Sequence, residues 1–142
     1  MGSWIYLCAI LDWYSRYIVG WILSEYINVD LVLDTWHVAF KTNRFPIYSN
    51  SDQGSQMTAK KTIALITSKG IQISMDHTGR CFDNIFTERL WRTIKYEEVY
   101  IKEYNSPKEA RIEISKYIHY YNTQRLHSSL EYRTPYEIYN DL

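Results

Sequence analysis

Cysteine is scarce in this chain: 142 residues hold only Cys8 and Cys81. Two thiols cannot build a disulfide framework, and no Cys-x-x-Cys pair occurs, so a reduced, cytoplasmic setting is expected. Long apolar runs are also missing, which excludes a membrane-spanning helix and makes a membrane partner unexpected. The opening Met1-Gly2-Ser3-Trp4 lacks the basic-then-apolar order of a signal peptide. Tyr6 stands where N-myristoylation requires Ser or Thr. His37, His77, His119 and His127 have no zinc spacing. There is no excess charge of either sign, since 16 basic and 16 acidic residues cancel. A freestanding DNA binder is usually basic, so the bulk charge argues against one. No internal repeat, low-complexity tract or linker interrupts the sequence.

What is abundant is aromatic surface. Aromatics are 16 % of residues, with 14 Tyr and 5 Trp, which excludes a disordered chain. The length suits one domain with a real core. Charge is uneven locally. Residues 77–95 carry four basic groups (Arg80, Arg89, Arg92, Lys95) against Asp83 and Glu88.

The pattern predicts α/β architecture with mixed strand directions. Residues 4–12 and 17–23 are apolar, β-rich runs around a Tyr14-Ser15-Arg16 turn, which reads as a β-hairpin. Leu31, Val32, Thr35, Val38 and Ala39 fall near helical spacing over 29–43. Residues 47–49 form a short strand. A helix over 58–68 ends at Lys69-Gly70, and 71–75 is another strand. A turn-rich loop over 76–82 leads to a helix capped by Asp83 or Asn84 and running to about Tyr96 or beyond. Ser106-Pro107-Lys108-Glu109 reads as a capping box opening a helix to about Tyr121. Tyr117, Tyr120 and Tyr121 are expected to form a core face, and His37 to be half-buried on its helix.

Two carboxylates stand out. Asp52 follows a strand and opens the turn Ser51-Asp52-Gln53-Gly54, where a strand end projects a side chain from a rigid frame. Glu88 follows with 35 residues between, on a helix whose Ile85, Phe86, Leu90 and Ile94 can dock on a sheet. By spacing alone a turn Asp beside an exposed helical Glu is the plainer reading.

The surrounding words shift that weighting. SDQGSQ at 51–56, SMDHTGRCFDNIFTERLWRTIKYEEVY at 74–100 and YNTQRLHSSLEYRTPYEIY at 121–139 resemble insertion-sequence transposases of the IS-three group. Those belong to the retroviral integrase superfamily, with a ribonuclease-H-like core. Tyr6-Leu7, Leu11-Asp12, Ser15-Arg16 and Gly20-Trp21 fit the same group. The resemblance implies an integrase-like catalytic core over 1–121, with 122–142 as a C-terminal extension of the same domain.

It also implies a chemistry. Two Mg²⁺ or Mn²⁺ ions sit among three carboxylates and promote in-line phosphodiester cleavage and strand transfer of DNA. Asp52 would be the second carboxylate and Glu88 the third. The family's first Asp lies well upstream, on the first strand, and counting back that distance from Asp52 runs past Met1. Asp12 is too near and belongs to the Asp-x-x-Ser-Arg hairpin motif, so a structural role in the turn is expected. The chain is therefore expected to be N-terminally truncated, to lack the first strand, to leave residues 4–12 as an uncovered sheet edge, and to be inactive alone.

Arg92 and Lys95 follow Glu88 by four and seven residues, on its helical face. With Arg89 and Arg80 they are the candidate DNA contacts, aimed at phosphate; a Glu–Arg salt bridge is the rival reading for this face. His127 is open between a DNA contact and a folding role. Met57, where the family favours an aromatic, reads as a packing change. The implied partners are DNA (transposon ends and target) and either another copy or a full-length transposase. The rival functions are a nonenzymatic remnant associating with full-length transposase and a sequence-independent DNA-binding module.

Overall fold

The computed structural model describes residues 5–51, 59–75 and 85–141. Its elements are β1 (Tyr6–Leu11), β2 (Ile18–Ser24), α1 (Val29–Phe40), β3 (Tyr48–Ser51), α2 (Lys60–Ser68), β4 (Gln72–Met75), α3 (Ile85–Ile94), α4 (Pro107–Thr123) and α5 (Pro135–Asn140). A π-helical turn, Lys95–Val99, extends α3, and a 3₁₀ turn, Ser128–Leu130, precedes α5. The loop over 76–82 and the cap at Asp83 or Asn84 lie outside the described residues.

β1 and β2 form the expected antiparallel hairpin, in the register Tyr6 opposite Ser24 through Ile10 opposite Gly20. Leu11 then pairs with Ile18, so Val19 is the extra residue of a bulge. Asp12 builds the turn. Its Oδ2 accepts from the Ser15 N–H at 3.0 Å and the Ser15 hydroxyl at 2.5 Å, and its backbone exchanges bonds with Tyr17 and Arg16. Arg16 sits in the left-handed region at φ 65°. The structural reading of Asp12 is what the turn displays.

Side chains of β1 alternate between two apolar clusters, as period 2 dictates. Leu7, Ala9 and Leu11 pack with Leu90, Ile94, Ala110, Ile114 and Ile118 from α3 and α4. Tyr6, Cys8 and Ile10 pack with Leu31, Val32, Trp36 and Ile66 from α1 and α2. The hairpin thus lies between two helical layers. Gly20 makes one of these layers possible. A Cβ there would stand 2.9 Å from the Ala39 nitrogen and 3.0 Å from the Thr35 carbonyl oxygen, so β2 approaches the α1 backbone closely. Asn28 caps α1 by accepting from the Leu31 N–H. Gly70, at φ 77°, ends α2 as predicted.

β3 and β4 pair in parallel, Tyr48 opposite Gln72 to Ser51 opposite Met75. Strand directions are mixed, but the two pairs form separate two-stranded sheets among the described residues.

Three expectations need correction. His37 is exposed, because its position on α1 faces away from the buried stripe; its ring meets that of Phe40 nearly at right angles. Tyr120 is 43 % exposed while Tyr117 and Tyr121 are buried, because the buried stripe of α4 also takes Ile114, Ile118 and Asn122 and leaves Tyr120 at its border. The box at Ser106 is incomplete: Ser106 accepts from the Glu109 N–H, but the Glu109 carboxylate turns to the Asn105 N–H. A reciprocal box forms instead at Thr134 and Glu137, opening α5 within the 122–142 extension, where no helix was expected.

Candidate active site

α3 carries the described half of the site. Its buried face, Leu90 and Ile94, is 3 % exposed at each residue and anchors the helix against the hairpin. The opposite positions, Glu88, Arg89, Arg92 and Lys95, are exposed. Glu88 and Lys95, seven residues apart, both line a cavity of about 2250 Å³. Ser49 and Asn50 of β3 line the same cavity, and Asp52 follows the end of that strand. Asp52 and Arg80 themselves lie outside the described residues.

The basic residues do not act as one patch. Arg92 leans over the Tyr96 ring, 5.8 Å from its centroid. Arg89 lies close enough to Arg16 to oppose its charge. Burial is the larger cause of the lowered Arg16 pKa, with Arg89 adding to it and Tyr121 and Asp12 countering. Lys95 stays on the Glu88 side. Among the described residues no ion pair joins Glu88 to Arg92 or Lys95, so the salt-bridge reading of this face is not realised.

Behind α3, a polar cluster missed in the sequence reading locks the C-terminal motif in place. The π-helical turn closes with the Tyr100 N–H donating to the Lys95 carbonyl at 2.8 Å. The widened turn presents Glu97 and Glu98 to different neighbours. Arg125 grips Glu97 through Nε at 2.9 Å and Nη2 at 2.7 Å, and the Tyr117 hydroxyl donates to the same carboxylate at 2.8 Å. The Arg125 hydrogen bonds hold the Glu97 carboxyl below its usual range. Glu98, 2 % exposed, accepts from the Tyr104 hydroxyl at 2.6 Å and pairs with Lys102 at 3.0 Å. Burial, more than the Glu98 bond, pushes the Tyr104 hydroxyl pKa up. His127 stands edge-on to the Tyr121 ring at 5.1 Å. Burial, then the Arg125 charge, lowers its pKa to about 4. His127 is thus half-buried and packed against Tyr121 and Arg125. The Arg-x-His spacing at 125–127 was the available signal, and only a long-range partner, Glu97, gives it meaning.

Two family profiles, both described as integrase core domain, match residues 1–81 and 69–135. The chain belongs to the integrase core domain family. It is 38 % identical over 141 residues to the transposase for insertion sequence element IS904 of Lactococcus lactis subsp. lactis (strain IL1403), covering 96 % of this chain and 56 % of that protein. Two solved structures show the same fold. The catalytic core domain of BIV integrase superposes with a TM-score of 0.74 at 20 % identity, covering 98 % of this chain and 89 % of that one. The HTLV-2 integrase catalytic core domain in complex with magnesium gives 0.69 at 18 % identity, covering 90 % and 79 %. The fold is accordingly ribonuclease-H-like. The chain spans about half the length of the curated relatives it matches.

Within that fold, the donor chemistry at the cavity suits a hard divalent cation, because Glu88 offers carboxylate oxygens. Asp12 also lines the cavity, but its Oδ2 already accepts two hydrogen bonds from Ser15. Among the described residues no three His, Cys, Asp or Glu side chains gather as a metal-holding group. Likewise, no described helix is long and apolar enough to cross a membrane.

Proposed function

We propose that this chain is the catalytic core of a DNA transposase, with Asp52 and Glu88 as two carboxylates of a site for Mg²⁺ or Mn²⁺. The observation that carries the reading is the shared cavity: Glu88 opens onto the space lined by Asn50, two residues before Asp52. When bound, a pair of such ions activates a water or a DNA 3′-hydroxyl and stabilises the leaving oxygen. The chain's own part is to place oxygens and cations around a phosphate. Glu88 holds negative charge at the cavity, and Asp52, which follows β3 in the sequence, is the second carboxylate in this reading. Lys95, on the same face of α3, supplies a positive charge for the DNA backbone, while Arg89 and Arg92 extend contact along the strand on either side.

Asp52 and Glu88 are two of the three carboxylates that such a site uses in this reading. Asp12 does not make up the number, because its carboxylate closes the hairpin turn. DNA ends and target DNA are the substrates in this reading, and the working form is an oligomer.

A chimera tests it. Residues 5–141 replace the matching stretch of the IS904 transposase, and mobilisation of that element is measured. The parent chimera is expected to be active, and Asp52→Asn and Glu88→Gln to abolish activity. Equal mobilisation by the parent chimera and both variants would remove these residues from the site.

A further inference from the structure

The outer side of the Glu88 helix carries a pair of rings that the fold does not bury. Glu88, Arg92, Tyr96 and Tyr100 follow one another at steps of four, and all are exposed. Tyr96 and Tyr100 are 62 % and 63 % exposed. Their ring centroids lie 5.3 Å apart, and the ring planes meet at 87°. The Arg92 guanidinium stands 5.8 Å from the centre of the Tyr96 ring. A single exposed aromatic is ordinary. Two rings in contact, with a cation over one of them and the Glu88 carboxylate earlier on the same helix, form a continuous surface that leads away from the site.

The backbone keeps this surface in line. Four residues overshoot one α-helical turn of about 3.6 residues, so positions at steps of four drift steadily around a straight helix. Lys95–Val99 is a π-helical turn, in which the Tyr100 N–H reaches the Lys95 carbonyl five residues back. Four residues fall short of that wider turn, so the step from Tyr96 to Tyr100 swings back toward the Glu88 line. Single π turns of this kind recur at functional sites. The same turn commits its two acids elsewhere: Glu97 pairs with Arg125, and Glu98 with Lys102 and the Tyr104 hydroxyl. Arg92 and Lys95, both exposed, set positive charge beside the rings.

We propose that Tyr96 and Tyr100 form a stacking site for an unpaired base of the DNA strand held at Glu88. Every base has a π face that an aromatic ring accepts, and neighbouring cations hold the connecting phosphates. A planar base seated on one of two perpendicular rings meets the other at its edge. The occupant is single-stranded, because a paired base keeps both faces inside the duplex stack and reaches a ring only when taken out of it. The helix also sets a register. At about 1.5 Å per residue, Tyr96 lies roughly 12 Å along the axis from Glu88. Nucleotides spaced about 3.4 Å apart then put the stacked base about three or four nucleotides from the phosphate at Glu88. The inference rests on the reading of Glu88 as part of a DNA-processing site, to which it adds a hold on the strand beyond the reacting phosphate. The rival is that the ring pair only stabilises the helix end, as side chains four apart on a helix do.

The probe is a DNA duplex with a single-stranded tail of about six nucleotides, within the usual span of such sites. It is compared with the same duplex whose tail is abasic, which keeps every phosphate and removes every base. Both are titrated with the intact chain at low salt in EDTA, so that binding is read without a metal. The expected result is about fivefold to tenfold tighter binding of the base-bearing tail, the low end of what stacking on an aromatic ring gives. The Tyr96→Leu, Tyr100→Leu double variant should lose that preference and keep its affinity for the abasic tail. The Tyr96→Phe, Tyr100→Phe variant should retain it, because stacking needs the rings and not the hydroxyls. Equal binding of the two tails by the unmutated chain would overturn the proposal whatever the variants do. So would a preference that survives the double Leu variant, or no DNA binding at all. A lowered unfolding temperature in the double Leu variant with the preference intact would establish the rival. An intact preference, with a Glu88→Gln chimera that still mobilises its element, would count against the metal reading only.

Discussion

The side-chain amide of Asn122 bonds both backbone groups of Ile18, accepting from its N–H at 2.9 Å and donating to its C=O at 3.1 Å. Ile18 opens β2 beside the bulge, where a regular ladder is interrupted. Asn122 completes the ladder from 104 residues away and fixes α4 to the hairpin. Asn122→Ala leaves two buried backbone groups unpaired, a loss of about 2–6 kcal/mol from roughly 1–3 for each group. Urea denaturation checks this through a lower midpoint at unchanged slope. A change under 0.5 kcal/mol would show that water replaces the clip.

Gly20 should be intolerant of even one carbon. An added Cβ meets α1 backbone at 2.9–3.1 Å, not a flexible side chain. Gly20→Ala therefore forces β2 and α1 apart, at about 1–3 kcal/mol, the usual range for overpacking. Thermal unfolding measures it, and a neutral outcome would mean the layer spacing is soft.

His127 gives the fold a defined acid sensitivity. Its pKa is lowered from 6.5 to about 4, so between those values the unfolded chain binds the proton and the folded chain does not. The stability this supplies is full above pH 6.5 and falls as pH drops toward 4. The ring is only partly buried, so the change is about 2 kcal/mol, below the full value of the shift. Glu97, whose pKa is also lowered, loses its contribution at more acid pH, below its ordinary 4.5. His127→Phe should flatten the stability profile between pH 6.5 and 4 while leaving the steeper acid fall. An unchanged profile would move the effect to another group.

Arg125→Lys should behave as a loss. A lysine ammonium cannot reproduce the paired Nε and Nη2 contacts to Glu97. The expected cost is about 1.5–3 kcal/mol, the range for hydrogen bonds to charged groups. Comparison with Glu97→Gln in a double-mutant cycle checks that the two residues are coupled.

Much of this fold is legible in the sequence. The continuous apolar run over residues 6–11 gives β1, Lys69-Gly70 marks the end of α2, and Asp12 with Ser15 marks the turn. These are local signals. What escapes is what distance creates. Nothing near Asn122 announces Ile18, and nothing near Arg125 announces Glu97. The capping box at Thr134 was missed for a different reason: the short α5 has little apolar periodicity, and the exposed Tyr132 and Tyr136 obscure it. The α3 helix was expected to reach Tyr96 or beyond, but its change to π geometry at Lys95 has no residue-level signature. At the site, spacing and neighbouring words pointed to Glu88 and Lys95. The departure of Arg92 toward Tyr96 depends on a ring four residues away on the same helix.

Lys95 and Arg92 should contact phosphate and not bases. Either change to Ala is expected to weaken binding of all DNA sequences alike and to lower the slope of log K against log salt by roughly 0.9 per lost contact. Binding at several salt concentrations on two unrelated duplexes checks this. Altered sequence preference would indicate base readout instead.

Mn²⁺ titration of the chain, followed by paramagnetic broadening of side-chain carboxylate resonances, tests the central claim most directly. Selective broadening of Asp52 and Glu88 at weak affinity is predicted, with no effect at Asp12 beyond its distance from the ion, and loss of the site in the Asp52→Asn, Glu88→Gln double variant. Broadening that survives both substitutions, or that centres on other carboxylates such as Glu113, would contradict it.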